Sequence, residues 1–306
     1  MSLVNRIIVS MVFLIGIVEA NSNILVYKIP NKAHKITAES VATGLEQEGY
    51  VVSKNQDMNG PYIKQFGKST FHSYNLMSVY QPEFAKKMVL KDAKAGIFVP
   101  FSVAVYQKQK EDNIYIALLN AKAQQRVLKL HDNLFDKLET LNKSTIKKIF
   151  PQASLVKLPY ESLKSSKAFY TKYSLDVDDE DASDEYDDMM MMMQGSMKMD
   201  GFVVANYIDY NEELKDEDIN DYIFYHSYSL CKLKIIYELS KKTPEAGAFA
   251  PCTMIIYHKK GSNKTEIVSL NINSLISMLA LKDKALLNML NSTQKDMVSI
   301  IQDSTE

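Results

Sequence analysis

The two cysteines of this chain, Cys231 and Cys252, are its only thiols and the residues best suited to covalent chemistry. They can form a structural disulfide if their Cα atoms lie within about 7 Å, and closing a loop of about 20 residues would stabilise the fold by roughly 3 kcal/mol. They can also remain buried free thiols. A third interpretation is a redox or metal-binding pair, favoured if a helix N-terminus stabilises the thiolate of Cys231.

Histidines with aromatic neighbours occur in two similar segments, residues 71–76 and 225–230. Such side chains on one sheet face could hold a ligand, although a histidine in this setting can also be packed and hydrogen-bonded. If His226 converged with Cys231 and Cys252, the three would form a soft-metal site, but the spacing identifies no metal and no cofactor. The predicted ligand-binding residues are Phe71, His72, Tyr74, Tyr225, His226 and Tyr228.

A run of methionines at residues 189–193, followed by Met197, could bind Cu(I) through its thioethers. The alternative is hydrophobic packing, for which the flexible methionine side chain is well suited. Comparison with the first half of the chain favours packing, because Met193 and Met197 match Val41 and Leu45, an i,i+4 apolar pair.

Three segments of the first half recur in the same order in the second half, which indicates a tandem duplication. We predict a first unit at residues 21–150, a linker at 151–166 and a second unit at 167–306. The matching segments are residues 49–52 with 201–204, 71–76 with 225–230, and 95–100 with 246–251.

The order of predicted elements in each unit is β-α-β-β-(α)-β-β-α. Strands outnumber crossover helices, which favours the α+β class, with an antiparallel sheet and helices packed on one face. In the first unit, a strand is predicted over residues 62–76 and a long amphipathic helix over 124–150. The second unit is predicted to end with a helix over 272–301.

Charge and the N-terminal residues limit the possible partners. The formal net charge is −1, so there is no basic field to bind nucleic acid. Residues 1–20 have the pattern of a secretory signal peptide with cleavage after Ala20. Its apolar run of about 12 residues is shorter than the roughly 20 that a spanning helix needs. We therefore expect a periplasmic protein with no stable membrane insertion after cleavage.

The second unit contains the pattern C, twelve residues, P-x-x-G-x-x-x-P-C, formed by Cys231, Pro244, Gly247, Pro251 and Cys252. This pattern resembles the bacterial domain of unknown function 302 family. The resemblance implies two tandem TATA-binding-protein-like units and implies no activity. The first unit resembles the family more weakly.

Two residues of the family pattern, Gly96 and Pro100, are kept in the first unit, but Phe101 takes the place of Cys252. Thiol chemistry is therefore predicted only for the second unit.

No nucleophile and base pair, phosphate-binding glycine loop or zinc protease helix is recognisable in the sequence. The leading hypothesis is a non-enzymatic periplasmic module that binds a small molecule or a protein. The alternative hypothesis is a thiol redox or soft-metal-handling protein that uses Cys231 and Cys252. A scaffold role through the long helices is the third hypothesis.

Overall fold

The computed structural model describes residues 23–215, 220–250 and 252–305. The predicted signal peptide and Pro251 lie outside these ranges. Within them, no helix is long and apolar enough to cross a membrane.

Each half of the chain forms one α+β unit with a single antiparallel sheet. The first unit consists of β1 (Ile24–Pro30), α1 (Ala38–Gln47), β2 (Val51–Asp57), α2 (Asn59–Phe66), β3 (Phe71–Tyr80), α3 (Pro82–Lys91), a 3-10 helix (Ala93–Phe98), β4 (Phe101–Lys108), β5 (Asn113–Leu119), α4 (Ala121–Leu128), α5 (Asn133–Ile149) and β6 (Ser154–Leu155). The second unit consists of β7 (Tyr170–Asp176), α6 (Ala182–Met199), β8 (Val203–Asp209), α7 (Tyr210–Glu213), β9 (Tyr222–Cys231), α8 (Leu233–Lys242), a 3-10 helix (Pro244–Phe249), β10 (Cys252–Lys259), β11 (Lys264–Leu270), α9 (Ile272–Met278) and α10 (Lys284–Asp303).

The strand orders are β2-β3-β4-β5-β1-β6 in the first sheet and β7-β11-β10-β9-β8 in the second. Helices α1 and α5 cover one face of the first sheet, and α6 and α10 cover one face of the second. The other face of each sheet is turned toward the other unit. The predicted α+β class and the two repeated antiparallel units are confirmed, whereas the TATA-binding-protein-like arrangement stays a prediction.

The strand predicted over residues 62–76 is wrong in its first part, which forms α2. The carboxylate of Asp57 accepts hydrogen bonds from the backbone N–H groups of Asn59 and Gly60, at 3.0 and 2.9 Å, and so starts a helix. Gly67 then ends it in the left-handed conformation, with φ of 75°. The strand begins only at Phe71.

The two long closing helices are each divided into two. A left-handed residue, Lys129 with φ of 53°, ends α4, and Asp132 then caps the start of α5 through Leu134 N–H. In the second unit, Ala280 with φ of 51° lies between α9 and α10. The predicted linker contains β6, which pairs with β1.

The strand register shows that equivalent residues of β3 and β9 are 151 positions apart. Tyr74 lies opposite Tyr106 in the first sheet, and Tyr225 lies opposite Tyr257 in the second. Tyr74 is therefore equivalent to Tyr225, and not to Tyr228 as the match of residues 71–76 with 225–230 suggests. That match is displaced by three residues because aromatic residues recur at a spacing of three, as Phe71 and Tyr74 in β3 and as three tyrosines in β9.

The two units pack through their 3-10 helices. The 3-10 helix of the first unit contacts β10 and β11, and that of the second unit contacts β4 and β5. In the first contact, the fully buried Tyr225 donates a hydrogen bond of 2.6 Å from its hydroxyl to the carbonyl oxygen of Ala93. A Cβ atom at Gly96 would lie only 1.8 Å from that hydroxyl oxygen.

The second contact is the reciprocal of the first. The buried hydroxyl of Tyr74 donates a hydrogen bond of 2.8 Å to the carbonyl oxygen of Pro244. A Cβ atom at Gly247 would lie 2.7 Å from the Tyr74 hydroxyl and 2.6 Å from the Cβ of Ala104. The glycine of the family pattern thus permits a close approach between the units.

We expect Gly96→Ala to lower the free energy of unfolding by about 2–4 kcal/mol, because Tyr225 must move and its buried hydrogen bond is lost. Urea denaturation of the purified protein measures this loss. Gly195→Ala is the matched control, since Gly195 lies in α6 with no atom within 4 Å of an added Cβ. That control should gain about 0.5–1 kcal/mol. Equal stability of the two variants would contradict the packing described.

Candidate functional site

The second unit contains a cavity of about 80 Å³ at the end of β9 and the start of β10. It is partly open to solvent, and both Cys231 and Cys252 lie in its wall. Most of the wall is apolar, and it includes Phe202, Leu230, Ile236, Phe249, Met254 and Met297.

In the wall of this cavity, a cysteine replaces a phenylalanine at an equivalent position of the two sheets. Phe101 of β4 and Cys252 of β10 occupy equivalent positions, because they are 151 positions apart and β4 and β10 pair with β3 and β9 in the same way. In the first unit, Phe101 is buried and contacts Tyr50 edge-on, with 6.5 Å between ring centroids. The cavities beside Phe101 measure only about 10 Å³ each. The smaller thiol of Cys252 leaves the corresponding space unfilled, next to Phe202.

The two thiols are close in the fold but are not activated. Cys252 pairs with Leu230, the residue before Cys231, so the two cysteines are diagonal neighbours on adjacent strands. Both are free thiols. Burial raises the pKa of the Cys231 thiol to about 12, with a smaller contribution from the nearby Cys252. Burial also raises the pKa of the Cys252 thiol to about 11. Both groups are therefore protonated at neutral pH.

His226 does not join the thiols. Within the described ranges, no group of three or more histidine, cysteine or acidic residues could hold a metal ion. The convergence of His226 with Cys231 and Cys252 that a soft-metal site would require therefore does not occur among these residues. The alternation of side chains along β9 directs His226 toward α6, where it contacts the ring of Tyr186 at 4.7 Å.

The buried imidazole of His226 is held among aromatic rings. Its Nε2 lies 3.5 Å from the carboxylate of Asp209, and its Nδ1 has no hydrogen-bond partner among the described residues. Burial lowers the pKa of His226, and the neighbouring Asp209 opposes that shift. Phe224 and Tyr207 complete the surroundings, with centroid distances of 5.2 and 5.6 Å.

The six predicted ligand-binding residues do not share one surface. Three of them, Phe71, Tyr74 and Tyr225, are buried in the core that joins the units. Tyr228 is buried on the α6 side, where its hydroxyl is bonded to that of Tyr186. His72 is exposed. A role for these residues in ligand binding stays a prediction.

The methionine run lies in α6 and packs on the second sheet. Met193 and Met197 are buried in the core beneath the helix, as the comparison with Val41 and Leu45 indicates. Met191 lies on the solvent side of the helix, with 75% of its surface exposed. The same helix therefore places neighbouring methionines in very different environments.

Sequence reasoning missed the cavity, although one signal pointed to it. The comparison of the repeats aligned Phe101 with Cys252, and this replacement of a large side chain by a small one lies in the cavity wall. A second missed residue is the buried His258, whose Nδ1 and Nε2 lie 3.0 Å from Thr265 Oγ1 and 2.9 Å from Asp179 Oδ1. It anchors the segment that follows β7.

A model of a domain of unknown function, DUF302, matches residues 26–149 and 180–304. The chain belongs to the DUF302 family. The two matches confirm the tandem duplication of the domain. No curated protein matches the chain. Among solved structures, it is similar to an uncharacterized conserved DUF302 protein from Bacillus stearothermophilus. The two are 16% identical over 46% of this chain and 100% of that chain, with a TM-score of 0.37.

The raised thiol pKa values predict slow alkylation of this DUF302 protein. At pH 8, iodoacetamide should modify Cys231 and Cys252 at least roughly 100-fold more slowly in the native protein than in guanidinium, where cysteine has a pKa of about 8.5. Between pH 8.5 and 10.5, the native rate should keep rising about tenfold per pH unit, while the unfolded rate levels off.

Mass spectrometry of the intact protein measures both rates. The single variants Cys231→Ala and Cys252→Ala assign each rate to one thiol. A native thiol that reacts at the rate of the unfolded chain would contradict the raised pKa and favour thiol chemistry.

Proposed function

We propose that this protein is a non-enzymatic binding module that holds a small apolar ligand in the cavity of the second unit. The observation that supports this proposal is the replacement of Phe101 by Cys252 at equivalent positions, where the apolar space measures about 80 Å³ in the second unit and about 10 Å³ beside Phe101 in the first.

The chemistry of the wall favours an apolar occupant. An apolar cavity of about 150 Å³ stays dry and binds benzene, because water finds too few polar partners there. The cavity here, at about 80 Å³, is smaller but partly open, so it suits a short chain or a small ring. Filling it would restore packing contacts that the first unit obtains from Phe101.

The location proposed for this binding is the periplasm. It rests on the signal peptide predicted from residues 1–20. A periplasmic module without catalytic groups would meet small apolar molecules that cross the outer layers of the cell.

A thiol function is the second candidate, because Cys231 and Cys252 lie in the wall of the same cavity. The redox form of this proposal requires reactive thiolates, and burial raises both thiol pKa values instead. The soft-metal form requires further ligands beside the two sulfurs. Apolar binding needs neither, so it is the preferred function.

Benzene is a suitable first probe, and two methionine methyl groups report on it. Met254 and Met297 lie in the cavity wall, while Met191 and Met199 are exposed. In protein labelled with ¹³C at the methionine methyls, benzene should shift the first two signals in a saturable manner and leave the exposed pair unchanged.

Substitutions of Cys252 separate the two candidate functions. Cys252→Phe should abolish the benzene shifts, because the new ring occupies the space as Phe101 does. Cys252→Ala should keep them, since it removes the thiol and enlarges the cavity. Phe101→Cys should open a second site in the first unit and cost about 2–4 kcal/mol of stability. Loss of binding in Cys252→Ala would favour a thiol function, and no shift in the unaltered protein would refute the proposal.

A further inference from the structure

We infer that the ligand of this cavity carries a neutral carbonyl group, as ketones, esters and amides do, attached to its short apolar part. This inference rests on the proposed function and adds the chemical class of the ligand.

Two residues of the cavity wall, Gln294 and Lys232, have side chains that carry hydrogen-bond donors. The side-chain oxygen of Gln294 accepts a hydrogen bond of 2.8 Å from the backbone N–H of Ile272. Its NH₂ group therefore remains, with no partner among the residues that the structure describes. Lys232 contributes an ammonium group, whose nitrogen lies 2.7 Å from a carboxylate oxygen of Asp296. A ligand that meets these donors must present a hydrogen-bond acceptor, of which a carbonyl oxygen is a strong neutral example.

Two of the three hydroxyl groups in the wall are engaged inside the protein, and the third belongs to Thr253. Thr293 donates to the carbonyl oxygen of Met289 at 3.0 Å. Ser269 is bonded to the hydroxyl of Thr171 at 2.8 Å. The Thr253 hydroxyl can donate as well as accept, so it is compatible with the acceptor group that Lys232 and Gln294 require.

The lysine is specific to the second unit. The equivalent position in the first unit is Gln81, whose side-chain oxygen accepts a hydrogen bond of 2.9 Å from Phe84 N–H and caps α3. Lysine has no acceptor and cannot cap a helix in this way. In the second unit, Lys232 instead lies over the ring of Phe202, with 4.1 Å from its nitrogen to the ring centroid. The charged group is thus held beside an aromatic residue of the cavity wall.

The ion pair makes a neutral head group preferable to a charged one. Asp296 already balances the charge of Lys232, so a ligand carboxylate would meet Lys232 together with the like-charged Asp296. A ligand ammonium would face the ammonium of Lys232 and the NH₂ group of Gln294. A carbonyl oxygen accepts from both donors without placing a new charge in a largely apolar site.

Three probes with six carbon atoms and different head groups test this inference: 2-hexanone, hexanoate and hexylamine at pH 7. Binding is followed through the methionine methyl signals of Met254 and Met297. We expect 2-hexanone to bind at least roughly tenfold more tightly than either charged probe. Equal affinities for the three probes would overturn the inference.

Variants of the ion pair identify the groups responsible. Lys232→Met should weaken 2-hexanone binding roughly three- to tenfold more than it weakens benzene binding, the effect of one hydrogen bond. Asp296→Asn should raise the affinity for hexanoate by about tenfold, because Lys232 is then unbalanced. Lys241→Met is the matched control, since Lys241 also pairs with a carboxylate and an aromatic ring on α8 but lies outside the cavity wall.

The outcomes distinguish this inference from the proposed function. If benzene binds but Lys232→Met and Lys241→Met have the same affinity for 2-hexanone, the carbonyl inference fails and the apolar site stands. If neither benzene nor any of the three hexyl probes shifts the cavity methyl signals, the proposed function itself fails.

Discussion

The two units are held together by a reciprocal contact in which a tyrosine hydroxyl of one sheet reaches a backbone carbonyl of the other unit's 3-10 helix. Tyr225 bonds to Ala93 and Tyr74 bonds to Pro244. Each contact requires a neighbouring residue without a Cβ atom, because the ring lies directly against the backbone. The inner faces of both sheets are covered in this way, so the core continues from one unit into the next.

This arrangement leaves the outer faces free to diverge. On the outer face of the first sheet, Phe101 and Tyr50 fill the space beneath the helices. At the equivalent place in the second unit, Cys252 and Phe202 leave a cavity. The reciprocal contact does not depend on this position, so the change from a large to a small side chain could alter one unit without separating the two. A duplicated fold can thus keep one copy closely packed while the other contains a cavity.

Equivalent positions can also keep the same structural role with different chemistry. Gln107 accepts a hydrogen bond of 2.9 Å from Asn31, just after β1. At the matching position, His258 contacts Asp179, just after β7. Both buried side chains anchor the segment that leaves the first strand of their unit. In the second unit the anchor is an imidazole and a carboxylate, and the pKa of Asp179 is lowered by hydrogen bonds from Gly261 N–H and His258.

The duplication, the α+β class and the packing of the methionine helix were determined by the sequence alone, because repeated residue types and apolar spacing survive without knowledge of contacts. The sequence alone did not determine how β3 aligns with β9. Tyrosines three positions apart in β9 make two alignments equally plausible, and the cross-strand pairing with Tyr106 and Tyr257 decides between them. The tertiary structure also decided that Tyr74 and Tyr225 join the units, that His226 lies apart from the thiols, and that Cys252 opens a cavity. These facts depend on which side chains meet across strands and between units, and such contacts join residues far apart in the chain.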